Sequence, residues 1–392
     1  MPDIKDISSV SISDPVALQL TDQLQQLIAQ TIQDDGPLPF DRFMEMALYA
    51  PGLGYYTAGS EKIGAAGDFI TAPEISFIFS HCVARQCQQV LEQTGGSILE
   101  FGAGSGIMAA HILDYLDKQN CLPESYLILD LSPDLKQRQQ QTIENIVPHL
   151  INKVKWLTQL PEVIDGVVLG NEVLDAMPVS VFRKHRGQVE EQYVIGQKDE
   201  LKVAWQPASA LLQKAVNGIE SDTGILPEGY LSEVNLRLAG WLASVSGALR
   251  KGLLLLIDYG YSRLEYYRPD RSMGTLICHY QHRAHDDPLK LVGLQDITAN
   301  VDFSGVKNAA EQVGFTIAGY TPQANFLMSL GIEELLAPYI NVDQQDFIKL
   351  SQAVKVLMLP SEMGERFKVI GLSKGLDQQA RGFSMRDLSD RL

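Results

Sequence analysis

Cationic residues are scarce in this chain. Its 392 residues carry 32 Lys and Arg against 48 Asp and Glu, a formal net charge of −16. Nucleic-acid binders draw their general affinity from Lys and Arg set against phosphates, so this balance argues against a nucleic-acid partner. It favours a cationic partner, such as a sulfonium cofactor or an arginine-bearing protein. Cysteine is sparse as well. Cys82, Cys87, Cys121 and Cys278 include no Cys-x-x-Cys pair, which suggests neither a zinc site nor a disulfide framework and fits a reducing compartment. No apolar run approaches bilayer-spanning length, and the opening stretch carries Asp3, Asp6 and Asp14 in place of a signal-peptide core or an Arg-rich presequence. A cytoplasmic protein with no membrane partner is the expectation. What remains is a globular composition, 45% hydrophobic and 20% charged, long enough for one elaborated domain or two.

The most informative stretch is Ser97-Ile98-Leu99-Glu100-Phe101-Gly102-Ala103-Gly104-Ser105-Gly106-Ile107. A short apolar run ends in an acid, three glycines follow at alternate positions, and an apolar helical pattern begins. This strand-turn-helix is how a parallel α/β sheet builds a nucleotide-type cofactor site. A second buried run, Tyr126-Leu127-Ile128-Leu129, ends in Asp130, placed to accept both ribose hydroxyls of an adenosine; the competing reading is an N-cap, for which Ser132 is the better candidate. A dinucleotide fingerprint needs glycine at position 107, where Ile107 stands, and Glu100 disfavours a pyrophosphate. A sulfonium nucleoside such as S-adenosylmethionine carries no phosphate and two positive groups, so nearby carboxylates stabilise it.

Three other segments carry acids. Asp68, Thr71 and Glu74 cluster before a helix expected from Ser76 to Gln93, where helix capping is the simpler reading. Val167-Val168-Leu169-Gly170 runs into Asn171, Glu172 and Asp175 at a strand end, where ligands sit in open α/β sheets; Asn171 could equally cap a helix. Leu253 to Ile257 is a further buried strand, ending in Asp258, and Tyr259 beyond it reads as a packing aromatic. Gln295 to Phe303 alternates like a strand, with Asp296 and Asp302 facing either the crevice or solvent. His279, His282 and His285 fall in a loop bracketed by Gly274 and Pro288, without the pattern of a metal site.

Organisation follows from these landmarks. Helices are expected over Pro15–Gln33 and Phe40–Tyr49, a hairpin over Gln188–Ala204 turning at 196–199, and a long helix capped by Ser232 and reaching Leu249. The expected divisions are an N-terminal helical cap with a substrate and cofactor loop (1–95), a first core part (96–186), an insertion (187–250) and a second core part (251–392).

Taken together, the segments Gly67–Ser76, Glu100–Gly106, Asn171–Ala176, Ile257–Gly260, Gly274–Phe303 and Met363–Val369 resemble the MidA-type family of class I S-adenosylmethionine-dependent methyltransferases, whose mitochondrial members assist assembly of respiratory complex I. The resemblance covers most of the chain. It implies a doubly wound, seven-stranded Rossmann-like α/β sheet with a reversed last hairpin, an N-terminal helical cap and an inserted substrate-side region. It also implies methylation of a protein arginine, with a respiratory-complex subunit among the substrates. The chain departs from the family at Asn300, where a His commonly follows Thr-Ala, so no imidazole is available there.

Arginine arrives protonated, so the chemistry needs carboxylates that polarise the guanidinium and take a proton. The catalytic candidates are Glu172 first, then Asp175, Asp68 and Glu74. The donor-binding candidates are Glu100, Gly102, Gly104, Gly106, Asp130, Asn171 and Thr71, with no metal. Alternatives are a methyltransferase of small molecules or other residue types, a non-catalytic assembly factor that keeps the cofactor fold, and a nicotinamide oxidoreductase, the last disfavoured by Ile107. A homodimer is one assembly open to the chain.

Overall fold

A computed structural model describes residues 14–58, 71–130, 132–198, 200–340 and 344–392. Runs rich in Leu, Ile and Val form the strands of a central sheet: β1 (Ser97–Phe101), β2 (Tyr126–Leu129), β3 (Val154–Leu157), β4 (Ile164–Asn171), β5 (Leu249–Tyr261), β6 (Thr316–Pro322) and β7 (Phe367–Lys374). Their spatial order is β6-β7-β5-β4-β1-β2-β3. Neighbours are parallel from β5 through β4, β1 and β2 to β3, whereas β7 runs antiparallel to both β5 and β6. The two-residue strand Val301–Asp302 extends the sheet by pairing with the end of β5.

Both faces of the sheet are buried, which is why β4 and β5 read as nearly continuous apolar runs. One face packs under α4 (Phe77–Thr94) and α5 (Ile107–Lys118), with Ile78, Val83, Ile112 and Leu116 fully buried against Ile98 and Leu255. The other is covered by helices Leu238–Ala248 and Phe303–Gln312, where Leu242, Val245 and Val306 meet Leu99, Val168 and Leu254. This is an α/β fold with a central mixed sheet between helices.

Over the carboxyl ends of the strands sit two further layers. The N-terminal helices α1 (Pro15–Asp35) and α2 (Phe40–Tyr49) join a small antiparallel sheet of Leu38–Pro39, Ser180–His185, Gln188–Ile195, Lys202–Pro207 and Leu231–Val234. This sheet takes in strands on both sides of the hairpin, so the inserted layer is built partly from residues before 187. The second layer is a three-stranded sheet, Arg283–His285, Ile277–Tyr280 and Asp296–Thr298.

Several local expectations need correction. Ser232 does not cap a helix: it lies inside the strand Leu231–Val234, paired with Phe182. The following helix begins only at Leu238, where the Asn235 side chain accepts from the Arg237 and Leu238 amides at 3.0 Å each. A separate helix, Ala210–Thr223, is capped instead by Ser209. The His-bearing stretch after Gly274 is a hairpin rather than a loop, turning at Gln281 and His282, both at positive φ.

Candidate active site

The helix that follows the glycine turn begins on Gly106, and all three glycines take left-handed backbone, with φ of 59, 55 and 84 degrees at Gly102, Gly104 and Gly106. Gly102 and Gly104 line a cavity of about 500 Å³ at the carboxyl end of the sheet; Gly106 does not. A Cβ on Gly106 would fall 2.8 Å from Cα of Gln139 in α6 (Pro133–Ile146). Its glycine lets α6 pack closely against the turn.

The cavity floor carries acids from the ends of β1, β2 and β4. Glu100, at 2% exposure, accepts from the Tyr126 hydroxyl at 2.6 Å. Burial pushes its carboxyl up to about 7, with the Asp130 charge adding to the rise and the Tyr126 bond opposing it. Asp130 accepts from the Ser132 amide at 3.1 Å and the Gln139 amide group at 2.9 Å, while Ser132 itself caps α6. The capping reading of Asp130 therefore gives way.

At the end of β4, no helix starts at Asn171. The chain instead passes through Glu172 at φ 53, a left-handed conformation that a non-glycine residue adopts at a cost. What holds it there is Asp258, fully buried at the end of β5. Its Oδ2 accepts from the Leu174 amide at 2.9 Å and the Asp175 amide at 3.2 Å, and its Oδ1 from the Tyr259 amide at 2.9 Å. The result aims both Glu172 and Asp175 into the cavity. Burial, reinforced by the Asp175 charge, pushes Glu172 up to about 8; the Asn171 side chain and the Ala72 amide bond to it and oppose the rise. Asp175 rises to about 6 through burial, against a 2.6 Å bond from the Tyr259 hydroxyl. Burial and the charges of Asp175 and Glu172 hold Asp258 well above the carboxylate range.

The roof comes from the two outer layers. Tyr49 and Tyr56 stack with ring centroids 5.5 Å apart; Tyr49 donates to the Ala176 carbonyl at 3.0 Å, and Tyr56 donates to both carboxylate oxygens of Asp296 at 2.9 and 3.0 Å. Asp296 thus faces the crevice, whereas Asp302 caps the helix Phe303–Gln312 and pairs with Arg263. Asn300 does not line the cavity, and its amide donates to the Thr275 hydroxyl at 2.9 Å. Thr71 and Glu74 do line it. Thr71 makes no side-chain cap bond, and Glu74 accepts from the Ser105 hydroxyl, so the short helix α3 (Ala72–Ile75) bridges to the glycine turn rather than these residues simply capping a helix. Asp68 lies outside the described residues.

Among the described residues, seven that line the cavity are carboxylates, Glu45, Glu74, Glu100, Asp130, Glu172, Asp175 and Asp296, and one, Arg237, is a cation. Arg237 is already paired with Asp41 at 3.0 Å and Glu45 at 2.6 Å. A pyrophosphate would find repulsion throughout. A sulfonium nucleoside fits. Among the described residues the buried Oδ1 atoms of Asn171 and Asp175 have no hydrogen-bond partner, and Phe101, Leu129, Leu135 and Met108 supply apolar wall beside Asp130.

Comparison with known proteins agrees. Residues 82–321 match the model of a family of S-adenosyl-L-methionine-dependent methyltransferases. The chain belongs to this family. The methyltransferase is 40% identical to a superfamily member from Burkholderia thailandensis solved bound to S-adenosyl-homocysteine, covering 98% of this chain and 100% of that one with a TM-score of 0.92. Among curated relatives it is similar to the protein named arginine methyltransferase NDUFAF7, mitochondrial, from Homo sapiens, at 26% identity over 92% of this chain and 85% of that protein. The homologue from Caenorhabditis elegans is 27% identical over 90% of this chain and 86% of its own length. The methyl donor of this methyltransferase is S-adenosylmethionine.

Three groups that this site uses carry little or no functional signal in the sequence. Asp258 was visible as an acid at a strand end, but its role depends on the unusual backbone at Glu172. Tyr259 read as a packing aromatic, and its hydroxyl in fact donates to Asp175. Tyr56 carries no local signal, because its partner Asp296 lies 240 positions away.

Proposed function

We propose that this methyltransferase transfers its methyl group to a guanidinium nitrogen of an arginine in a protein substrate. The observation that carries this reading is the composition of one end of the cavity, where Glu172, Asp175 and Asp296 converge beneath the stacked rings of Tyr49 and Tyr56. Carboxylates and aromatic faces together suit a planar, delocalised cation. Two curated relatives carry the name protein arginine methyltransferase.

In this reading Glu100 meets the donor's ammonium, Asp130 its ribose, and Gly102, Gly104, Thr71 and Asn171 line its path. Bound S-adenosylmethionine supplies an electrophilic methyl. Glu172 and Asp175 hold the guanidinium in line, so that alignment and excluded water lower the barrier. As the new nitrogen–carbon bond forms, the sulfur–methyl bond breaks with its electron pair left on sulfur, so that S-adenosylhomocysteine leaves; one N–H proton must also leave the nitrogen, and Glu172, whose affinity for protons burial has raised, receives it. Glu74, bonded to the Ser105 hydroxyl of the glycine turn, is a further carboxylate lining the same cavity.

Incubation of the purified protein in native lysate with labelled donor, followed by residue mapping, tests the reading. Label on arginine side chains supports it. Label on lysine, a carboxyl group or a small molecule refutes it.

The donor site also has an expected pH dependence. The raised folded-state pKa of Glu100 means the carboxylate is lost as pH falls through about 7, and with it the attraction for an ammonium. Calorimetric affinity for S-adenosylhomocysteine should therefore weaken below about pH 7. In Tyr126→Phe, which loses the bond that favours the charged form, the same weakening should begin at higher pH.

A further inference from the structure

We infer that Gln139 is a positioning residue of the donor site, setting affinity for the adenosyl cofactor by clamping the glycine turn to the ribose carboxylate. It lies in the middle of α6, fully buried, outside every sequence motif of the site.

Its side chain makes three hydrogen bonds. Nε2 donates to Oδ2 of Asp130 at 2.9 Å and to the Gly104 carbonyl at 3.1 Å, and Oε1 accepts from the Trp156 indole at 2.9 Å. The orientation of the amide is fixed by chemistry. A carboxylate and a carbonyl accept only, and an indole N–H donates only, so neither end can be exchanged. Both amide protons and one lone pair are used, and the Gln139 backbone fills the space that the missing Gly106 side chain leaves. One residue thus touches all three parts of the donor site: the turn that approaches the cofactor, the glycine that starts its helix, and the acid at the next strand end.

The consequence concerns Asp130. One of its oxygens is held by the Ser132 amide and the other by Gln139, which fixes the plane of the carboxylate. A vicinal diol needs two acceptors set in one plane, so an unclamped Asp130 presents the right charge in the wrong orientation. Trp156, at the end of β3, acts one step further out by orienting the amide.

The test is calorimetric binding of S-adenosylhomocysteine to the full-length protein. Gln139→Met keeps length and volume but removes both donors, and it is expected to weaken binding about tenfold. Gln139→Glu keeps the shape and sets a second carboxylate against Asp130, and it should weaken binding further. Packing alone would leave the second variant near the parent, so the pair separates positioning from filling space. A double-mutant cycle supplies the second readout: in an Asp130→Asn background, Gln139→Met should cost much less than it does alone. Trp156→Phe, which leaves Gln139 in place, should weaken binding about threefold, and this arm remains informative if a Gln139 variant fails to fold. Binding by Gln139→Glu within about twofold of the parent, or full additivity with Asp130→Asn, would overturn the inference.

Discussion

Glu172→Gln is expected to lower the rate of methyl transfer by about 10²- to 10⁴-fold while leaving affinity for S-adenosylhomocysteine within about twofold of the parent. The amide keeps the size of the side chain and its bond to Asn171, but it cannot take a proton and adds no negative charge beside the guanidinium. The pH profile gives a second signature. Burial and the Asp175 charge hold the Glu172 carboxyl up at about 8 in the folded protein, so its basic form is absent below that pH and gained above it. Arginine stays protonated throughout this range and contributes no titration of its own. The kcat/KM of the parent should therefore rise with pH through about 8, and the residual activity of Glu172→Gln should lack that limb. A variant that transferred methyl groups at the parental rate would remove Glu172 from the chemistry.

Asp258→Ala should be nearly as damaging without touching any ligand. Asp258 accepts from the Leu174, Asp175 and Tyr259 amides, and these bonds hold the chain through the left-handed turn at Glu172. Removing the carboxyl leaves buried donors unpaired and the turn unsupported, with an expected stability loss of about 2–4 kcal/mol in denaturant titration. Activity should fall about 100-fold, because a misplacement of one ångström in a catalytic group is enough for that. Asp258→Asn keeps one acceptor oxygen and should recover part of the stability. Donor affinity should change little in either, since Glu100 and Asp130 stand on other strands.

These two residues also mark what could be read from the sequence. Glu172 announces itself as a carboxylate at the end of a buried strand, and the glycine turn with Glu100 and Asp130 narrows the ligand to a phosphate-free adenosyl cation. Strands β1, β2, β4 and β5 follow from apolar runs, and α2 matches its expected span because Pro51 and two glycines punctuate its end. Asp258 was only half legible. An acid at a strand end is visible, but its three amide partners depend on a backbone conformation that no propensity encodes. Tyr56, Asp296 and Gln139 show a stronger limit, since each acts through a partner that only the folded chain brings near. Ser232 failed for a different reason: a serine before an apolar periodic stretch signals a cap, yet pairing with Phe182 drew it into a strand, and Asn235 took the capping role. The inserted layer was recognisable from its hairpin but not its extent, because Leu38–Pro39 joins it from 149 positions before Gln188.

A crystal structure with S-adenosylhomocysteine tests most directly the division of the cavity into a donor end and an acceptor end. The expected structure has the ribose hydroxyls on Asp130, the ammonium beside Glu100, and the sulfur facing Glu172, Asp175 and Asp296 with room for one planar group between. A sulfur turned toward Trp241 and Arg237, or a nucleoside seated away from Asp130, would contradict it.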